Sequence, residues 1–461
     1  MLLSSDVAHV DEAAAPVTHD SHLTRTVLRL AGPVAVERLS VSALAAVDAL
    51  LVGHYVGRDG VAAVGMGTLM FWVPLAGAFG LDLATTAVVA RDFGAGRPET
   101  MERTMRAALL GAAIWGTLAM AFLWLLAGPL LTMMGAKPEV RSFGIDYMRA
   151  AAVGFPGLML LYASSGILRG LGNTWIPMLI IIVLNIVNAA VAFLLISGVV
   201  GVRLEVLASG IGYASGGMVG GVLALAVLVS GIGPIRYRIG HAFVTGRDEV
   251  RRLMNIGLPS GLEEVQFMAA FILYSRIVYS LGTTAVAAHT VALRTLDLAL
   301  VPGFSLGAAA TTLVSRYLGA GRPDLAERAA RIGLVFAIGT MLVMGALLEV
   351  FAPQFVSIFV DDPEVVRTGT RLLRVFAIAF PFMGLHASLG GALRGAGDVR
   401  YVLGVLTATA WLVRIPAALL FGVAIGFGAP GAWVGAMLEN IVRGSLVFRR
   451  FQQGKWKEKR V

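Results

Sequence analysis

A single carboxylate interrupts the apolar run Val47-Asp48-Ala49-Leu50-Leu51-Val52. A charge placed in mid-membrane costs about 2.5–3.5 kcal/mol on insertion scales, so an acid there is a functional candidate by default. In apolar surroundings a carboxyl group keeps its proton, and an approaching cation drives that proton off. A group that holds a proton or a cation, but not both, has the chemistry of an exchanger. The structural alternative is an Asp bonded to helical neighbours. Asp82 is a second acid in an apolar stretch, either lining a polar interior or lying near the end of its helix. Further charges in apolar surroundings are Glu37, Glu263, Glu264, Arg276, Arg294, Asp297 and Arg414. Arg294 and Asp297 are three apart, a helical spacing at which opposite charges pair. A buried ion pair there, with Glu263 or Glu264 beside it, competes with a polar patch for anionic or zwitterionic groups. His289 has the chemistry to titrate near neutral pH, but it lies near the end of its apolar run.

A repeat sorts these residues. The stretch VARDFGAGRPETMERTMR at 89–106 returns as VSRYLGAGRPDLAERAAR at 314–331, an offset of 225. Phe155-Pro156 returns as Phe380-Pro381, and Leu168-Arg169-Gly170 as Leu393-Arg394-Gly395. Glu37 and Glu263 correspond at offset 226, so an acid common to both halves more readily serves the fold. Asp48 has no acidic counterpart, because offsets of 225 and 226 land on Leu273 and Tyr274. Asp82 faces Gly307, and Arg276, Arg294, Asp297 and Arg414 face Leu51, Leu69, Trp72 and Ala189 at offset 225. A duplication of this length in an apolar chain implies two membrane lobes of like fold, the architecture of secondary transporters.

The elements that would position these groups are apolar helices. Hydrophobic residues make up 57% of 461, far above a soluble protein's share. Twelve apolar runs are long enough to span a bilayer. The expected fold is an all-α membrane protein of twelve transmembrane helices in two six-helix lobes, related by a pseudo-two-fold along the membrane normal. The expected boundaries are a polar tail over 1–24, lobes over 25–234 and 253–450, a linker over 235–252, and a basic tail over 451–461. The net charge of +9 is explained by placement. Lys and Arg gather in segments on one side, which puts both termini in the cytoplasm. The tail Lys455-Trp456-Lys457-Glu458-Lys459-Arg460 is expected at anionic headgroups. Nucleic acid is thereby excluded as a partner. The chain has no Cys, hence no disulfide or thiolate metal site. The first 22 residues lack a basic n-region and an apolar core, so no cleavable signal is expected. His9, His19 and His22 read as part of a polar tail.

Each GAGRP should end one helix and begin another, with Gly in the left-handed region and Pro at the first helical position. Pro33, Pro74, Pro156, Pro259, Pro302 and Pro381 fall inside apolar runs and should bend them. The glycines at 210, 212, 216 and 217 suit close helix packing.

The stretch from Val47 to Gly53, the following Val61-Ala62-Ala63-Val64-Gly65, the paired GAGRP turns and the paired LRGxG turns at 168–172 and 393–397 together resemble multidrug and toxic compound extrusion (MATE) transporters. The likeness covers roughly residues 25–450. It implies efflux of drugs or metabolites against entry of H+ or Na+. It also implies a coupling role for Asp48, with Asn185 and Asn188 at the polar positions of the fifth helix. Many microbial relatives carry an Asp a turn beyond the Asn, and this sequence departs from them, with Ala189 or Ala192 at the corresponding place. In the seventh helix, Gln266 and Phe267 stand where sodium-coupled types place an acid.

The expected function is therefore a cation-coupled antiporter of the cytoplasmic membrane. It would export small organic, mainly cationic compounds, with no cofactor beyond the coupling ion, and would act as a monomer. One rival is a flippase for lipid-linked or polysaccharide intermediates, kept open by Arg276, Arg294 and Arg414. The other is a membrane-embedded enzyme. Neither GxxxxGK[ST] nor HExxH occurs in the chain, so nothing points to ATP drive, to a metal or to catalytic residues.

Overall fold

The computed structural model describes residues 20–231 and 246–459. The described residues are helical, without strands. In chain order the first half contains α1 (Asp20–Tyr55), α2 (Arg58–Gly94), α3 (Pro98–Met133), α4 (Pro138–Ala152), α5 (Phe155–Gly170), α6 (Trp175–Ser197) and α7 (Glu205–Ser230). The second half contains α8 (Arg247–Tyr279), α9 (Thr283–Ala299), α10 (Val301–Gly319), α11 (Pro323–Ser357), α12 (Pro363–Ala377), α13 (Phe380–Gly395), α14 (Val399–Ala424) and α15 (Gly428–Gln452).

Three pairs are single rods with a bend. The breaks α4/α5, α9/α10 and α12/α13 turn by 50°, 44° and 53°. Pro156, Pro302 and Pro381 stand just after these breaks, in the first turn of the second piece. There the missing N–H costs no helical bond. Pro33, Pro74 and Pro259 lie inside continuous helices instead. Counting each bent pair once gives the twelve expected rods, six before Arg247 and six from it onward.

Seven single helices and the three bent pairs are long and apolar enough to cross a membrane. The rods α1 and α15 fall short of that test among the described residues. Their charges explain it: Arg25, Arg29, Glu37, Arg38 and Asp48 in α1, and Glu439, Arg443, Arg449 and Arg450 in α15.

The repeated turns are built as the sequence requires. Gly96 and Gly321 have φ of 65° and 69°, a region costly for any residue with a Cβ. Arg97 N–H then returns to the carbonyl of Asp92 at 3.0 Å, and Arg322 N–H to that of Tyr317 at 2.8 Å. Pro98 and Pro323 begin the next helices. Inside the first half, α7 lies against α5 and α6 through its glycines. A Cβ on Gly157 would stand 2.6 Å from the carbonyl oxygen of Gly217, and one on Gly216 would stand 2.8 Å from that of Leu184.

The chain divides into two compact units. One holds Val36–Gly261; the other holds Leu262 onward together with the start of α1 up to Ala35. These limits cut the chain elsewhere than the expected lobe boundaries of 25–234 and 253–450. The reason within the first unit is visible at Gly80. Its neighbours are Gly257 and Gly261, so the start of α8 packs on α2. Of the expected tail 1–24, residues 1–19, with His9 and His19, lie outside the described residues, and Asp20 already begins α1. Of the expected linker 235–252, residues 235–245 lie outside them, and Arg247 begins α8.

The basic tail over 451–461 differs from expectation. Trp456 is buried and stacks on Phe451 at 5.1 Å, and its indole N–H donates to the Phe451 carbonyl at 2.9 Å. Lys457 pairs with Glu327, and Lys459 reaches Asp398 at 3.4 Å. Carboxylates of the chain, rather than headgroups alone, take up these cations.

The glycine crossings carry a testable consequence. Gly157→Ala should lower the thermal unfolding midpoint in detergent, at a cost of about 1–3 kcal/mol for overpacking. Gly339→Ala, where a Cβ meets nothing within 4 Å, should leave it unchanged. Equal midpoints for the two variants would contradict a tight α5/α7 contact.

Candidate functional site

Asp48 lies on α1 and is 8% exposed. It neighbours the Ser209 hydroxyl of α7, with Tyr147 of α4 and Tyr213 of α7 also close enough to feel its charge. Its Oδ1 accepts no hydrogen bond from the protein, and the carboxylate has no ion-pair partner among the described residues. Asn188 of α6 is fully buried, and neither atom of its amide is bonded. Gly212 makes room for it: a Cβ there would stand 2.9 Å from Asn188 Oδ1. Ser209 and Gly212 are i,i+3 on α7, so Asp48 and Asn188 approach one stretch of the same helix. Asn185, one turn earlier on α6, is half-buried, and both its amide atoms also lack partners. Buried polar groups are normally bonded, so these open acceptors and donors are available to a ligand, an ion or water.

Three of the other predicted acids, Glu37, Asp82 and Glu263, are partnered. Arg169 of α5 bridges two carboxylates. Its Nη1 donates to Asp82 Oδ1 and Oδ2 at 2.9 and 2.7 Å, and its Nη2 donates to Glu37 Oε1 at 2.5 Å. In the second unit Arg394 of α13 donates to Glu263, with Nε 3.1 Å from Oε2. The shared acid of the two halves thus meets the shared arginine of the LRGxG turn. Asp82 belongs to this network rather than to the end of its helix.

Several expectations for the second half need correction. Arg294 and Asp297 are both exposed and feel each other electrostatically without forming a contact ion pair. Glu263 is taken by Arg394 and does not serve them. Glu264 is partly exposed, and Arg276 is exposed in the last turn of α8. His289 is fully buried and locked. Its Nδ1 accepts from the Trp433 indole at 3.1 Å, and its Nε2 lies 3.4 Å from Ser275 Oγ.

Arg414 corresponds to Asn188, not to Ala189. Gly212 meets the Asn188 carbonyl, and Gly435 meets the Arg414 carbonyl, at the same crossing of the last two rods in each half. The cause is a π-helical turn over Ala410–Arg414, which winds in one residue more than an α turn. It shifts the register from 225 to 226. Arg414 Nε donates to Glu439 Oε2 at 2.6 Å, and Arg443 pairs with the same carboxylate. Sequence reasoning missed Arg169, Arg394, Glu439, Arg443 and His386. The first two were visible as repeated charges, and Glu439 and Arg443 as charges within the last apolar run.

A cavity of about 580 Å3 opens among Trp124, Asp146, Arg149, Leu207, Ile211 and Met218, with no predicted site residue on its wall.

The MatE family model matches the chain twice, over residues 33–194 and 259–420. The chain belongs to the MatE family. Among its MatE relatives, the multidrug resistance protein PmpM of Pseudomonas aeruginosa is 30% identical over 424 residues, covering 90% of this chain and 88% of PmpM. A probable multidrug resistance protein NorM of Thermotoga maritima is 23% identical, covering 95% and 94%. A solved variant of the Vibrio cholerae MATE transporter VcmN superposes with a TM-score of 0.88 at 22% identity, covering 95% of this chain and 99% of that one. A transporter from Pyrococcus furiosus, described by its reverse binding-pocket polarity, also reaches 0.88 at 21% identity, covering 95% and 97%. The double match restates the internal repeat, and the likeness to solved structures shows the fold. This MatE protein is a multi-pass membrane transporter.

The ion-pair network separates the halves experimentally. Arg169→Met leaves two acids without their partner and should destabilise by about 3–5 kcal/mol. Arg394→Met leaves only Glu263 and should cost less. Thermal midpoints and folded yield in detergent report this order, and equal losses would contradict the bridging role of Arg169.

Proposed function

We propose that this protein is an antiporter that exports small organic, mainly cationic compounds in exchange for an inward cation, H+ or Na+. The observation that carries the reading is Asp48, a buried carboxylate without a cationic partner, set near unbonded Asn185 and Asn188. A proton neutralises the acid outright. A sodium ion would take oxygen ligands from Asp48, the Asn185 and Asn188 side-chain carbonyls and Ser209. Either loading removes the charge that holds a cationic compound, which makes occupancy by ion and compound exclusive. Exclusive occupancy, with the site open to each side of the membrane in turn, yields exchange.

Support for the exported class comes from the relatives, which are named multidrug resistance proteins. The concentration of Lys and Arg in segments on one side supports a cytoplasmic-membrane location with both termini inside. Asp82, Glu37 and Arg169 serve in this reading to hold α1, α2 and α5 together around the site, rather than to carry the ion.

The test is export from proteoliposomes under a pH gradient and, separately, a sodium gradient. One of the two gradients should drive uptake of an organic cation into inverted vesicles. Asp48→Asn, matched for insertion and thermal midpoint, should lower coupled export by about tenfold or more. Asn188→Ala should lower it less. Full export by the Asp48 variant would remove that residue from coupling.

A further inference from the structure

The register of the two halves assigns counterparts to residues of the Asp48 site. Glu37 and Glu263, both bonded to the LRGxG arginine, set α1 against α8, so Tyr274 stands where Asp48 stands. Gly212 and Gly435 set Arg414 against Asn188. Gly221 and Gly444 meet the carbonyls of Gly157 and Phe382, which confirms the register of α7 against α15. Glu439 then stands where Gly216 stands, and Trp411 lies within the π turn that precedes Arg414. The first half has an acid and two open amides. The second half has a phenol, a guanidinium and an indole that donates to Gln266 at 2.9 Å.

The charge of that second place is reversed. Arg414 and Arg443 share the one carboxylate of Glu439, and all three side chains are buried. Arg443 Nε also donates to Thr409 Oγ1 at 3.4 Å. Arg394 and its partner Glu263 both reach Arg443, where the Glu263 carboxylate acts more strongly than the Arg394 guanidinium, so that pair adds no net positive field and the excess comes from Arg414 and Arg443 themselves. Two buried guanidinium groups on one carboxylate leave an excess positive charge, which is costly in apolar surroundings without a counter-ion.

Two further groups lack partners there. Tyr274 is 3% exposed, its ring centre is 5.6 Å from the Arg414 guanidinium carbon, and its hydroxyl has no hydrogen-bond partner. His386 is 7% exposed, feels both Arg443 and Arg394, and leaves Nδ1 unbonded. Gly390 makes the room for it: a Cβ there would stand 3.3 Å from Arg394 Nη1 and 3.5 Å from His386 Nδ1. The Tyr274 hydroxyl is a donor without an acceptor, and the His386 imidazole is a second one in the tautomer that carries its proton on Nδ1.

We propose that the second unit holds an anion-binding site formed by Arg414, Arg443, Tyr274 and His386, the charge-reversed twin of the Asp48 site. Its ligand is a small anion: a carboxylate or phosphate, as a substituent of a transported compound or free in solution, or chloride. Arg414 and Arg443 supply the charge, and the Tyr274 hydroxyl and the His386 imidazole complete the hydrogen bonds. Glu439 holds the two guanidinium groups in place and limits the affinity. This site stands independently of the antiport reading, because it requires neither coupling nor Asp48.

Anion binding is tested on the purified full chain in detergent by thermal unfolding. Acetate, inorganic phosphate and chloride are titrated separately at constant sodium and ionic strength, with a bulky sulfonate buffer as the balancing anion. At least one should raise the midpoint saturably. Saturation by acetate or phosphate but not chloride would mark the site as one for acidic substituents; saturation by chloride would mark a resident inorganic ion. Tyr274→Phe, which keeps the ring and every ion pair, should weaken the apparent affinity several-fold. Glu439→Gln, which removes the competing carboxylate, should strengthen it. An Asp48→Asn protein should respond as the unaltered chain does, which separates this test from the coupling test. No saturable shift with any of the three anions, or an identical response from all variants, would overturn the proposal.

Discussion

A charge buried away from water needs a partner, and most of the organisation of this protein follows from how each buried charge obtains one. The strongest expression of the rule is the arginine of the LRGxG turn. In each half it reaches the acid midway along that half's first helix, Glu37 for Arg169 and Glu263 for Arg394. Helices far apart in sequence are thereby tied at one point, and that point is the same in both halves. The apolar helices would pack through their glycines in any case. The ion pairs specify which helix meets which, because misplacing either member strands a charge in a medium where that costs several kcal/mol.

Against this shared frame the two halves diverge. The first half adds Asp82 to its arginine, so one guanidinium bridges two acids, and leaves Asp48 without a cation. The second half has Gly307 at the Asp82 position, where α10 and α13 pass in backbone contact. It places Arg414 and Arg443 around Glu439 and puts a tyrosine at the Asp48 position. The π turn at Ala410–Arg414 is the local device that permits this. One extra residue in the turn brings a guanidinium to the place an asparagine amide occupies in the other half. On the two proposals made above, duplication followed by such substitutions turns two equivalent places into one for a cation and one for an anion.

Much of the fold was legible in the sequence, because it depends on local chemistry. The GAGRP glycines take left-handed φ and the following prolines open helices, as residue type alone demands. The apolar runs gave the number of rods and the repeat their division into halves, and Asp48 stood out as an acid of the first rod with no acidic counterpart in the other half. Other features depend on contacts that no local pattern encodes. Pro156, Pro302 and Pro381 do stand at bends of their rods, as expected, but each bend is a full break in the helix, with the proline in the first turn of the second piece. The pairing of Arg294 with Asp297 followed from spacing, but that face of α9 is exposed, and an exposed pair has little reason to close. Arg414 was assigned to the wrong counterpart because a π turn changes the register without changing composition. The tail from Lys455 looked like a headgroup anchor by charge, while its Trp456 decides the outcome by burying itself against Phe451.

The central proposal is that a single exchangeable cation resides in each chain at Asp48, a buried acid without an ion-pair partner among the described residues. The most direct measurement is the number of cations displaced when purified protein binds an exported compound, read as protons released into weakly buffered solution and, separately, as labelled sodium released. The account expects one cation per chain in one of the two readouts. Two cations per chain, or none in either, would contradict it.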